Sequence, residues 1–129
     1  MRRVVVTGLG VISPVGNNVN DFWASLLAGK HGIGPITKFD TTEYKAKLAA
    51  EVKDFNPRDY MEKAETLRTD LYAQFAIGAA CQAVEESGVI GTLPPERVAV
   101  YFGSGIGGIQ TFTEEMDKLR SRGPRRVSP

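Results

Sequence analysis

Two short apolar runs, each closed by a glycine, constrain the fold of this 129-residue chain more than any other feature. Residues 3–8 read RVVVTG, and residues 97–103 read RVAVYFG. Unbroken runs of β-branched and aromatic residues that end at a glycine are typical of strands buried on both faces of a sheet. Since a helical pattern follows each run, the sequence predicts a sheet covered by helices.

Capping residues mark the ends of the shorter helical segments. Asn17 or Asn18 is placed to cap a helix over VNDFWASLLAGK, and Gly29 is placed to end it. In FNPRDY, Asn56 is expected to cap a turn with Pro57 at the first helical position. The stretch HGIGPITKFD, rich in glycine and proline, is expected to be a loop.

A long helix, roughly residues 62–87, is expected to be deeply buried. Its stretch AIGAACQA is almost entirely small, so neighbouring segments can approach the helix closely. Gly88 is placed to end it. A strand is expected near residues 47–52 and a final helix over IQTFTEEMDKLR. The order strand, helix, strand, helix, strand, helix predicts an α/β fold with parallel pairing.

Composition excludes several classes of function. The net charge is +1, so no overall field draws the chain to nucleic acid or to a membrane surface. The apolar runs are too short to span a bilayer, and the N-terminus does not resemble a secretory signal. Cys81 is the single cysteine, which excludes an internal disulfide and favours a reducing, cytoplasmic location.

The first glycine loop, VTGLGVISPVG, partly matches a dinucleotide-binding fingerprint. Gly8 and Gly10 occupy its first two positions, but Ser13 stands at the third. The nearest acid that could bind a ribose, Asp40, comes too late in the chain. A tight turn in which glycine lets two backbones approach is therefore favoured over nucleotide binding.

The second glycine loop, GSGIGG at residues 103–108, lies between a predicted strand and the final helix. It lacks the lysine of a P-loop. Ile106 is its one bulky side chain, and the C-terminal ends of strands are where α/β sheets usually place their sites. The residues alone leave two interpretations open, a gate over an apolar ligand and a side chain packed into the core, and they favour the second.

Five segments together resemble the N-terminal part of the β-ketoacyl-acyl-carrier-protein synthases, and synthase II best of all. They are RRVVVTGLGVISPVGNN, FWASLLAGKHGI, FNPRDY, QFAIGAACQAVEESG and YFGSGIGG…GPRRVSP, in order from residue 1 to residue 129. The resemblance implies a thiolase-like α-β-α-β-α layered fold and a homodimer. Residues 1–129 are then expected to be the N-terminal portion of the family's N-terminal domain, incomplete in this chain.

The same resemblance implies decarboxylative condensation of an acyl thioester with malonyl-acyl carrier protein in fatty acid elongation, with no cofactor required. The family's nucleophilic cysteine and its catalytic histidines match no residue here. Cys81 is expected to be buried in a helix and structural, and His31 to face solvent from a loop. We therefore expect an N-terminal fragment that is inactive alone. The alternatives are a stand-alone nucleotide-binding or interaction module and part of a polyketide ketosynthase or chain-length factor.

Four residues receive binding roles from the resemblance. Ile106 is implied to lie at the acyl pocket, where it limits the chain lengths that enter. Arg125 and Arg126 match a basic pair after Gly-Pro that helps to dock acyl carrier protein, an acidic partner. Arg68 fits a second docking patch, although Leu67 stands where a basic residue is common. No catalytic or metal-binding residue is assigned.

The residues given docking roles also allow interpretations that involve no binding. The basic residues near the C-terminus, which include Lys118, Arg120 and Arg122, can also be interpreted as a solvated face. Lys63 is a weaker member of the second patch. Asp70, in the segment RTDLYAQFA, is expected to pair with a base or to cap a loop, and no chemistry is assigned to it.

Overall fold

The computed structural model describes residues 3–128, which form helices and one small sheet. The α-helices are α1 (Val19–Leu27), α2 (Lys63–Thr66), α3 (Leu71–Ser87) and α4 (Ile109–Arg122), and the strands are β1 (Ile33–Pro35) and β2 (Leu48–Ala50). Short 3-10 helices cover Pro57–Asp59, Pro95–Arg97 and Pro124–Arg126. Over these described residues, no helix combines the length and the apolar character needed to cross a membrane.

The predicted helix ends are confirmed where a cap decides them. The Asn18 side chain accepts a hydrogen bond at 2.9 Å from an N–H in the first turn of α1. Gly29 follows α1 with a φ of 64°, and Gly88 ends α3 with a φ of 59°, both in the left-handed region that favours glycine. Asn56 caps the 3-10 helix that Pro57 opens. These signals succeed because each cap acts on its sequence neighbours.

The long helix predicted at residues 62–87 is interrupted between α2 and α3. Gln74 is one of the few buried side chains and lies against the break. Its Nε2 donates to the carbonyl oxygens of Thr66 and Thr69, at 3.0 Å and 2.9 Å. Carbonyl groups at the end of α2 thereby keep a partner although the helix stops.

The predicted parallel sheet does not form within residues 3–128. Residues 3–8 and 98–103 are not part of any strand, and the sheet consists of β1 and β2, paired antiparallel with Ile33 opposite Ala50. β2 confirms the strand expected near residues 47–52, whereas β1 lies in the stretch expected to be a loop. A strand buried on both faces needs neighbouring strands and covering layers, and the described residues supply neither.

The expectation that α3 is deeply buried is wrong for this chain alone. Within residues 3–128 no hydrophobic side chain is buried, and Val4 and Val100 are 95% and 82% exposed. The chain exposes 10889 Å², whereas a folded monomer of its size exposes roughly 6,700 Å². One face of α3 and both apolar runs therefore lack the covering surface that a core requires.

Gln82 holds the N-terminal segment, the aromatic residues and α3 together. Its Oε1 accepts from the N–H of Val11 at 3.1 Å, and its Nε2 donates to the carbonyl of Asn17 at 2.7 Å and to the Tyr60 hydroxyl at 3.0 Å. Tyr60 stacks on Phe55 with ring centroids 5.9 Å apart. This network places the first glycine loop along α3.

Candidate functional site

The first glycine loop is built for close packing against α3. A Cβ on Gly8 would overlap the carbonyl oxygen of Ala83, and a Cβ on Gly10 would overlap that of Ala79. The small residues of α3 permit this approach, as the sequence predicted. Both glycines are therefore explained by the contact of two backbones.

Polar groups of α3 already occupy the amides of this loop. The N–H of Leu9 donates to the Glu86 carboxylate at 2.5 Å, and the N–H of Val11 donates to Gln82. A phosphate site needs free N–H groups directed at the ligand, and a carboxylate at that position repels phosphate. The geometry thus disfavours a nucleotide at Gly8 and Gly10.

The second glycine loop, residues 103–108, presents Ile106 to solvent. The Ile106 side chain is 77% exposed, so within the described residues it is not packed into a core. The N–H of Gly107 donates to the hydroxyl of Ser104 at 2.9 Å, and Gly107 has a φ of 77°. The hydrogen bond between Gly107 and Ser104 closes a local turn within the loop, and Ile106 lies in that turn.

An apolar groove of about 390 Å³ lies along the open face of α3, beside Val100 and Phe102. Residues of α3 from Tyr72 to Val84 form its other wall. Cys81 lines this groove and is exposed, so the expectation that it is buried is wrong. None of the described residues that line the groove is basic, and a thiol needs such a neighbour or a helix N-terminus to become a nucleophile.

His31 is exposed, as predicted, and lines a different cavity. That cavity measures about 400 Å³ and is also lined by Asp21 and Asp54. The single histidine and the single cysteine therefore do not form the Cys–His pair that nucleophilic catalysis requires.

A third cavity, here called the α4 cleft, lies between the α2–α3 break and α4. It measures about 700 Å³ and is lined by Arg68 and Asp70 on one side and by Thr111 and Lys118 on the other, with Ser128 beside them. Ser128 closely follows the 3-10 helix that contains Arg125 and Arg126. One predicted docking residue, Arg68, therefore lines the cleft, and the chain reaches the cleft again at Ser128, two residues after Arg126.

Glu115 fastens the C-terminal segment to α4. Its carboxylate accepts from the Nζ of Lys118 and from the backbone N–H of Ser128, the latter at 2.6 Å. These bonds, that of Lys118 foremost, hold the pKa of Glu115 below its ordinary value of 4.5. Glu115 is accordingly ionised at neutral pH, where both bonds are present.

The three arginines expected to dock a partner form no ion pair with other described residues. Arg68, Arg125 and Arg126 are exposed. The ion pair found within residues 3–128 joins Lys118 to Glu115 and involves none of the three. Their guanidinium groups can therefore reach an acidic partner without breaking an internal pair.

Asp70 bridges the α4 cleft, a role that the sequence did not predict in this form. Although Asp70 is the N-cap residue of α3, its side chain makes no capping bond there. Its Oδ1 instead accepts from the hydroxyl of Thr111 at 2.6 Å, and its carboxylate packs on Gly108, where a Cβ would overlap it. Of the two expected roles, the structure supports the loop contact rather than pairing with a base.

Curated relatives match the chain from end to end. Proteins named 3-oxoacyl-[acyl-carrier-protein] synthase 2 are 48% identical in Coxiella burnetii and 45% identical in Staphylococcus aureus (strain COL), each over 129 residues. Each match covers 99% of this chain and 31% of the relative. The chain thus spans about a third of the length of these relatives.

Two solved structures share the fold, each with a TM-score of 0.79. The ishigamide ketosynthase/chain length factor is 31% identical, and the match covers 99% of this chain and 32% of that one. A type II PKS acyl-carrier protein in complex with its ketosynthase provides the second, 25% identical, with 100% and 33% covered.

The similarity to these two structures defines the fold class of the chain. The fold is that of the ketosynthases, in partial form, which confirms the predicted α/β, thiolase-like class. The beta-ketoacyl synthase N-terminal domain matches residues 1–129, and the chain belongs to that family.

Proposed function

We propose that the enzyme carrying this domain is a β-ketoacyl-acyl-carrier-protein synthase II, which condenses an acyl thioester with malonyl-acyl carrier protein in fatty acid elongation. The observation that carries the proposal is 40–48% identity to proteins named 3-oxoacyl-[acyl-carrier-protein] synthase 2 along essentially the whole chain. Identity to the two polyketide-type structures is lower, 31% and 25%. That difference favours fatty acid elongation over polyketide synthesis.

The proposed reaction needs a nucleophilic sulfur. The acyl group passes from its carrier to an enzyme cysteine, malonyl thioester loses CO2, and the resulting carbanion attacks the acyl carbonyl as the cysteine sulfur leaves. Cys81 is poorly placed for this step because its groove is apolar and His31 lines another cavity. We therefore expect residues 1–129 alone to be inactive.

Within the enzyme, we assign this domain the binding of acyl chain and carrier. Ile106 borders the acyl pocket, and Arg68, Arg125 and Arg126 dock the acidic carrier protein. The α4 cleft supports the docking role, because Arg68 lines it and so does Ser128, two residues after Arg126. A structural relative solved with an acyl-carrier protein gives further support. The enzyme is expected to be a cytoplasmic homodimer that needs no cofactor.

The test is an assay of the complete enzyme with an acyl-carrier thioester and malonyl-carrier protein. The expected products are one CO2 per turnover and a β-ketoacyl thioester extended by the malonyl-derived unit. The 129-residue chain alone is the control, and we expect it to form no product. Turnover by that chain, or its saturable binding of ATP or NAD, would contradict the proposal, and so would a complete enzyme that releases no CO2.

A further inference from the structure

We propose that Asp70 is a positioning residue for the loop at residues 103–108. Through Thr111 and Gly108 it fixes the start of α4, and with it the place of Ile106. The inference rests on the proposed function only for the role given to Ile106.

The N-terminus of α4 has no cap from its own sequence. Gly108 is the N-cap residue and offers no side chain, and the first turn of α4 contains no acidic residue. The first N–H groups of a helix lack intrahelical partners and favour a nearby negative charge. Asp70 places a carboxylate at this end from a segment 41 residues away.

The loop before α4 makes few contacts within itself, so a contact from outside the loop is needed to hold its conformation. The contact of Asp70 with Thr111 and Gly108 serves this purpose and is here called the anchor. Four of its six residues are glycine, which lose the most conformational freedom on ordering. Its side-chain restraint within the loop is the bond from Gly107 to Ser104. Asp70 itself is held, because its carbonyl accepts the N–H of Gln74 in the first turn of α3. The anchor thus ties the loop to the start of α3.

Gly108 explains how closely the anchor can approach. A Cβ at this position would overlap the Asp70 carboxylate, while the backbone φ of −79° is one that alanine adopts freely. Glycine at residue 108 therefore leaves room for the Asp70 carboxylate, and its φ lies outside the left-handed region that favours glycine.

Residue-resolved hydrogen exchange on the complete enzyme tests the anchor directly. The probes are the N–H groups of Ile109 and Phe112, which donate to the carbonyls of Gly107 and Gly108. We expect both to exchange about fivefold faster in Asp70→Ala and in Thr111→Val, since each variant removes one hydrogen bond. Thr113→Val is the matched control, because its hydroxyl donates to Ile109 within α4.

Gly108→Ala provides a second arm that leaves Asp70 in place. Its Cβ should displace the carboxylate and give the same faster exchange as Asp70→Ala. The double variant Asp70→Ala/Gly108→Ala should then add nothing further, because both changes break one contact. Additive effects in the double variant would contradict the anchor.

Enzyme kinetics separate positioning from general stability. With Asp70→Ala, we expect the ratio of kcat/KM between long and short acyl chains to change about fivefold, whereas a general loss of stability or of carrier docking would lower kcat/KM equally for every chain length. Unchanged exchange at Ile109 and Phe112, or an unchanged ratio in an active enzyme, overturns the inference. Faster exchange in an enzyme that condenses no acyl thioester instead supports the anchor and refutes the proposed function. If Asp70→Ala does not fold, Thr111→Val carries the same test.

Discussion

Gly10 shows how a residue without a side chain can decide packing. Its Cα lies so close to the Ala79 carbonyl of α3 that an added methyl group has no room. The obstacle is backbone, which cannot rotate away as the end of a flexible side chain can. The contact therefore sets the distance between the N-terminal segment and α3.

We predict that Gly10→Ala lowers the free energy of unfolding of the complete enzyme by about 1–3 kcal/mol, the usual cost of overpacking. Urea denaturation measures this. Gly34→Ala is the matched control, since a Cβ there meets no atom within 4 Å. Equal effects of the two substitutions would show that the close approach at Gly10 is unimportant.

For Ile106, we predict that Ile106→Phe shortens the accepted acyl chain. A larger ring would occupy volume that the substrate tail needs, so kcat/KM for long acyl thioesters should fall about tenfold, within the range of overpacking costs. Short acyl thioesters should be unaffected. Ile90→Phe is a suitable control, since Ile90 is 74% exposed and outside the proposed site. An unchanged chain-length profile would reject this role for Ile106.

At the scale of elements, features that depend on adjacent residues were predictable. Asn56 and Gly88 were identified from sequence, and Asn18 as one of two candidates with Asn17, because a cap needs only the neighbouring turn. The break between α2 and α3 was missed because helical periodicity continues across it, while Gln74 satisfies the carbonyls by folding back.

Strands were predicted less well because pairing is not local. Val4 to Val6 have strong β character, yet a strand forms only when a partner is present. β1 was missed for the opposite reason, since its Ile-Gly-Pro sequence reads as a loop and only β2 makes it a strand. The Asp70–Thr111 contact joins residues 41 positions apart, so no local pattern announces it.

The 3-10 helix Pro124–Arg126 contains both arginines of the proposed docking pair, so carrier docking can be tested by changing this one element. We predict that Arg125→Glu/Arg126→Glu slows association with acyl carrier protein about tenfold at low salt, and less as salt screens the charges. Stopped-flow measurements at several salt concentrations test this. Lys45→Glu/Arg97→Glu changes the net charge equally at exposed positions away from the α4 cleft. A rate that is unaltered and independent of salt would contradict docking here.

For the whole molecule, the exposed surface of 10889 Å² implies that copies of the isolated chain associate with one another. We predict that the isolated 129 residues are oligomeric or poorly soluble, because large apolar surfaces associate in water. Light scattering coupled to gel filtration measures the mass, with the complete enzyme as the reference. A monomer that melts cooperatively would show the prediction to be wrong.

The exposure of the two apolar runs also affects how the protein folds during its synthesis in the cell. Val4 and Val100 have the exposure of an extended chain. In relatives about three times as long, the ribosome needs roughly 15 to 60 s to make the remainder at 5–20 residues per second. Throughout that interval these runs are the kind of target that holding chaperones bind, so the pace of translation and the supply of such chaperones should limit the yield of folded enzyme.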